Sequence, residues 1–194
     1  MGKPKLKKEQ IENVQIDYGL IIMNYGEPDQ ERLGPTRGGG EFNATKNIRD
    51  IEYDGQPGKT KSLQTIDEIN ALLKTTILDT QLSTLAKIMP HADYDEATKI
   101  IKNAQLGAIP LSKYLKNITM FAKVINGGYK KITLFNAMNE TDFVLTAGPK
   151  AEGEVAVEFH AHYDPEEDEA QTIFTIEDVT EIVDSSTTST TTEG

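Results

Sequence analysis

Residues Glu154–Asp164 read EVAVEFHAHYD, and their alternation decides the fold class. Successive side chains of a strand point to opposite faces, so Val155, Val157, Phe159, Ala161 and Tyr163 share one side, and Glu154, Glu158, His160, His162 and Asp164 share the other. The segment predicts a strand with one buried and one wet face. Upstream, Ile118, Met120, Ala122 and Val124 alternate in the same way and run into Asn126-Gly127-Gly128, residues that tolerate positive φ. The pattern then resumes from Lys131 to Met138, with Ile132, Leu134 and Asn136 on alternate positions, which is the signature of a β-hairpin. A second hairpin is expected to join Asp142–Thr146 to Glu154–Tyr163 through AGPKAEG, with Gly148, Pro149 and Gly153 in the turn.

Further out, the β-branched Thr75, Thr76 and Ile77 incline Ile69–Leu78 towards strand, and Phe42–Tyr53 is expected to be extended. Tyr25–Gly40 carries so many Gly and Pro residues that it reads as a long loop, of the kind that mediates contacts or catalysis. One segment is helical: Asp79 or Thr80 can cap it, Leu82, Leu85, Ala86 and Met89 lie on one face, and Pro90 stops it. The expectation is a mainly β domain over residues 13–182 with one short flanking helix. A basic amino-terminal arm, residues 1–12, and a Ser/Thr-rich tail, residues 183–194, are expected to be flexible.

The 194 residues carry a formal charge of −11 that is unevenly placed. No Lys or Arg follows Lys150, whereas thirteen carboxylates do; the first 150 residues hold twenty cations and eighteen carboxylates. A basic nucleic-acid-binding domain is a poor description of such a chain. The absence of Cys excludes disulfides, thiol nucleophiles and thiolate metal sites. The longest purely apolar run is Leu20–Met23, far short of a bilayer span of about 20 residues, and no apolar signal core follows the basic start, so a protein made in a cytoplasm with no membrane partner is expected.

Enzymatic readings are thin. Gly55–Thr60 (GQPGKT) ends like a phosphate-binding loop around Lys59, but Tyr53 stands where the motif needs its first glycine, and Pro57 lacks an amide donor. Glu158, His160, His162 and Asp164 have a spacing at which a strand can present ligands to a divalent metal, which makes His160 and His162 weak candidates; the bland alternative is a solvated strand face. The run Glu166–Glu169 lacks the spaced oxygen ligands of a calcium loop, and neither a Gly-x-Ser-x-Gly elbow nor a His-Glu-x-x-His motif occurs. No cofactor or catalytic residue is assigned.

Several stretches, taken in order, carry a family resemblance. They are Ile16–Ile21 (IDYGLI), Glu27–Phe42 (EPDQERLGPTRGGGEF), Asn47–Gly55 (NIRDIEYDG), Lys59–Ser62, Lys87–Ala92 (KIMPHA), Tyr114–Asn117 and Val157–Asp164 (VEFHAHYD). Together they resemble the tail tube, or major tail, proteins of long-tailed bacteriophages of Gram-positive hosts, over most of residues 11–176. The resemblance implies two packed β-sheets, sandwich- or barrel-like, flanked by a helix. It further implies hexameric rings that stack into a hollow tube for DNA ejection, sheets that join across subunits, and a non-enzymatic role in the virion. The implied partners are copies of the same chain and other tail proteins such as terminator, tape measure and distal tail, with DNA as passing cargo. Loops and ends touch the neighbouring ring in such proteins, which nominates Glu31, Arg32, Arg37, Lys59 and Lys61. A wall that must release DNA should avoid phosphate ion pairs, so the wet-face Glu154 and Glu158 are candidates to face the lumen. A ring-forming terminator is the nearest alternative, and a metal- or nucleotide-dependent enzyme is the alternative from another class.

Overall fold

The computed structural model describes residues 7–12, 14–104, 106–148, 151–167 and 171–183. A single helical turn, α1 (Lys8–Glu12), precedes β1 (Gln15–Met23), β2 (Glu31–Arg32), β3 (Thr36–Asp50) and β4 (Gln64–Ile77). Helix α2 (Leu82–Ile88) and a small hairpin of β5 (Ala92–Asp95) and β6 (Ile100–Asn103) follow. A 3-10 turn at Leu111–Lys113 leads into β7 (Leu115–Val124) and β8 (Tyr129–Asn139), then β9 (Thr146–Gly148), β10 (Ala151–His160) and β11 (Phe174–Val179). The protein is mainly β, as its alternation predicts.

Nine strands form one connected path, β2-β1-β7-β8-β10-β4-β3, with β11 added to β8 and β9 to β10; β5 and β6 form a separate pair. The path becomes two layers because β8 changes partner midway. Tyr129–Leu134 pairs with β11, whereas Met138 and Asn139 pair with β10. Between them Asn136 takes φ 48°, a left-handed conformation that Asn adopts more readily than most residues. The layers β2-β1-β7-β8-β11 and β10-β4-β3 then face each other across a core of Ile21, Met23, Leu73, Ile118, Met120, Leu134, Val155, Val157 and Phe159. Full burial of each such side chain is worth about 1.5–3 kcal/mol. Two close approaches prove the packing. A Cβ on Gly40 of β3 would lie 2.5 Å from Met120 Sδ of β7, and the rings of Phe42 and Phe174 are 5.3 Å apart. Neither end strand of the path meets the other, so the sandwich is not a closed barrel.

The hairpin β7–β8 forms where expected, with Gly127 at φ 94° in its turn. Three expectations need correction. The long loop from Tyr25 to Gly40 is shorter than its composition suggests: Thr36–Gly40 already belongs to β3. Gly38 and Gly39 have positive φ at a register shift between Arg37 and Gly40, so these glycines form a bulge inside a strand. Helix α2 buries Thr84, Leu85 and Ile88, while Leu82 is exposed. Asp79 accepts from the Gln81 amide (2.9 Å) and the Thr84 hydroxyl (3.0 Å) without being the cap residue. The second hairpin is limited to β9 and β10; Asp142–Leu145 is not strand, and Pro149 and Lys150 lie outside the described residues. Residues 1–6, Asp168, Glu169 and residues 184–194 also lie outside them, and with them most of both terminal segments.

Candidate assembly surfaces

Strands β3 and β4 are fifteen and fourteen residues long, but only their proximal halves join the sandwich. From Ala71 to Ile77 the burial of β4 alternates strictly; from Gln64 to Asn70 nearly every residue is exposed, as are residues 43–49 of β3 apart from their junction with the core. The distal half is therefore a two-stranded arm extending beyond the body. Its inner face continues that of the core. Phe42 pairs with Leu73, Ala44 with Ala71 and Lys46 with Ile69; after a register shift, Ile48 pairs with Ile66. Ile48, Ile66 and Ile69 thus occupy core-type positions with no layer opposite them.

The arm is held in shape by polar contacts. Arg49 Nε donates to Asp67 Oδ2 (2.7 Å), Gln64 Nε2 donates to Asp50 Oδ1 (2.7 Å), and Lys59 Nζ lies 3.3 Å from Asp50 Oδ2. The Gln64 hydrogen bond, more than the nearby ammonium, holds the Asp50 carboxyl below its ordinary value. The Ile51 amide donates to the Leu63 carbonyl (2.8 Å), closing the tip. Lys59, the lysine of the phosphate-loop-like segment, is turned to Asp50, and the Gln56 side chain donates to the Gly58 carbonyl.

The outer face of the β10-β4-β3 layer is a charged ladder. Glu41 and Glu158 both pair across to Lys74. Lys74 Nζ lies 2.8 Å from Glu158 Oε2, and that hydrogen bond lowers the Glu158 carboxyl and raises the Lys74 ammonium. Arg37 bridges Glu152 (3.0 Å) and Glu154, which raises the guanidinium and lowers Glu152, chiefly through the hydrogen bond between them. Glu41, Glu140, Glu152, Glu154 and Glu158 stand against Arg37 and Lys74, so this surface keeps an excess of three carboxylates after pairing.

His160 and His162 lie at the lower end of this ladder. His160 Nε2 is 3.1 Å from Glu158 Oε1; His162 Nε2 is 3.0 Å from Glu140 Oε1, and its Nδ1 is 3.0 Å from the Asn136 carbonyl oxygen. The Tyr114 ring packs edge-on against His162 at 5.1 Å. Asp164, expected to share their face, instead accepts the Glu166 amide (2.9 Å) in a turn, because the strand stops at His160. Among the described residues no three His, Asp or Glu side chains converge as metal ligands. His162 ties the chain just beyond β10 to the kink of β8, whereas His160 bonds within its own strand.

The nominated contact residues separate into two groups. Lys59 and exposed Lys61 lie on the tip of the arm, whereas Glu31, Arg32 and Arg37 lie on the body, Glu31 paired with Lys87 of α2 and Arg37 with Glu152 and Glu154. The isoleucines of the arm were missed. The signal was available in the β-branched Ile48, Ile66 and Ile69 set among charged residues on either side of a Gly/Pro turn, which is a hairpin pattern. Comparison with known proteins gives no match to a family model and none to a curated protein. Among the described residues no helix is long and apolar enough to cross a membrane.

Proposed function

We propose that this chain is a structural subunit that assembles with copies of itself, and that it is the tail tube protein of a long-tailed bacteriophage. Synthesised in the host bacterial cytoplasm, it forms rings of six that stack into the channel of the virion tail, alongside terminator, tape measure and distal tail proteins. The observation that supports this best is the arm, whose core-type face carries Ile48, Ile66 and Ile69 into solvent. An isolated monomer gains nothing from holding aliphatic side chains in water on an ordered hairpin; a neighbouring subunit supplies the missing layer. Among the described residues β3 and β11 each have a strand partner on one side alone, which is consistent with sheets that continue between subunits.

The ladder of the β10-β4-β3 layer is the surface best suited to the lumen. Its excess of carboxylates disfavours counterion-releasing contacts with phosphates, so DNA passes without being held. Its lysine and arginine are already engaged by carboxylates, which leaves them poor phosphate ligands. Sedimentation velocity over a wide concentration range tests the assembly reading: discrete rings or fast-sedimenting polymers are expected, and a single monomer boundary at every concentration would overturn it.

A further inference from the structure

A second apolar surface lies at the other end of the fold's order, where the chain enters β1. The Val14 amide donates to the Ile11 carbonyl (3.1 Å), and the Ile125 amide, in the β7–β8 turn, donates to the Val14 carbonyl (3.1 Å). These bonds hold Ile11, Val14 and Ile125 together, and Ile16 follows at a register shift of β1 against β7; all four are about half-exposed. The core-type face of the arm presents three such side chains, Ile48, Ile66 and Ile69, at 42%, 56% and 36% exposed.

The open strand edges favour the same match. Among the described residues β2 covers only Ile22 and Met23 of the outer edge of β1, so the edge beside Ile16 has no strand partner. Among the described residues β3 pairs in the sheet only with β4, so the other edge of its arm half, residues 43–50, has no strand partner. Open edges are templates for pairing with another chain.

Building on the assembly reading, we infer that the arm of one copy seats its Ile48/Ile66 face on the Ile11, Val14, Ile16 and Ile125 surface of a second copy. Donor and acceptor are different surfaces, so head-to-tail repetition of the contact builds rings or stacked arrays.

The chain has no cysteine, so introduced pairs report cleanly. Ile66→Cys is placed in one tagged population and Ile16→Cys in a second population with a tag of different size. The two are mixed under assembly conditions, oxidised and compared with a mixture of Ile66→Cys and Leu111→Cys. Mixed disulfide dimers at least tenfold above that control are expected. Ile16→Asp, with an unchanged circular dichroism spectrum, should raise the concentration needed for assembly at least tenfold. Rings or tubes that form without the Ile66–Ile16 cross-link, or that cross-link through Leu111, overturn this inference and leave the assembly reading standing. A mixture that neither cross-links nor assembles, when the unsubstituted chain also stays monomeric, overturns both.

Discussion

Replacing Ile48 and Ile66 together by Ser removes the apolar face of the arm where the two residues stand opposite each other. Ile48 is 42% exposed and Ile66 56%, so the pair leaves about one complete isoleucine side chain in water. Covering that much apolar surface is worth about 1.5–3 kcal/mol. A contact made once per added subunit should then weaken by roughly tenfold to 150-fold. The concentration at which polymer appears, read by light scattering or pelleting, should rise by that factor. The fold should not suffer, because neither side chain touches the core and exposed strand substitutions cost well under about 1 kcal/mol. Thermal unfolding of the unassembled protein is the control. A pelleting threshold that moves less than twofold, with an unaltered unfolding midpoint, would refute the claim that this face is an assembly contact.

Other outcomes are expected from the same physical arguments. Asn136→Val should destabilise the fold by about 1–2 kcal/mol in urea unfolding, whereas Asn136→Gly should not, because a β-branched side chain is strained at φ 48°. Glu152 and Glu158 are held below their ordinary value of 4.5 by Arg37 and Lys74. The stability they contribute is therefore fully present above that pH and lost as the pH falls through their lowered values. Lys74→Met should accordingly flatten the acid limb of a plot of melting temperature against pH. Reversing Glu154→Lys and Glu158→Lys should slow DNA ejection from assembled particles; unchanged ejection kinetics would remove these residues from the lumen.

What the sequence made legible is local. The alternation in Val155–Phe159 predicts the right strand and the right buried face, because a strand's period is set by its own backbone; Ile118–Val124 is the right strand, but Thr119 and Phe121 on its other face are buried as well. Gly38–Gly40 misleads because glycine marks both loops and bulges. Gly40 is a strand residue through its pairing with Thr75, and the approach of Met120 from the opposite layer is what favours a glycine there. The helix face shifts for a similar reason: over a helix as short as Leu82–Ile88, the body it packs against chooses between overlapping stripes. The arm was invisible as an arm. Ile48 and Ile66 carry the same pattern as core residues, and nothing local says that the second layer ends before reaching them. The ladder depends on pairs far apart in the chain, such as Arg37 with Glu154 and Lys74 with Glu158, so it emerges only once the register is known. The face of Glu154 and Glu158 was readable as wet; that both carboxylates are already paired was not.

The central claim is that this subunit builds a hollow tube, and electron microscopy of the concentrated protein tests it most directly. End-on views averaged without imposed symmetry should show rings with six subunits around an open channel, and side views should show stacked rings of constant diameter. Closed two-fold particles, solid fibrils or dispersed monomers under all conditions would contradict the account.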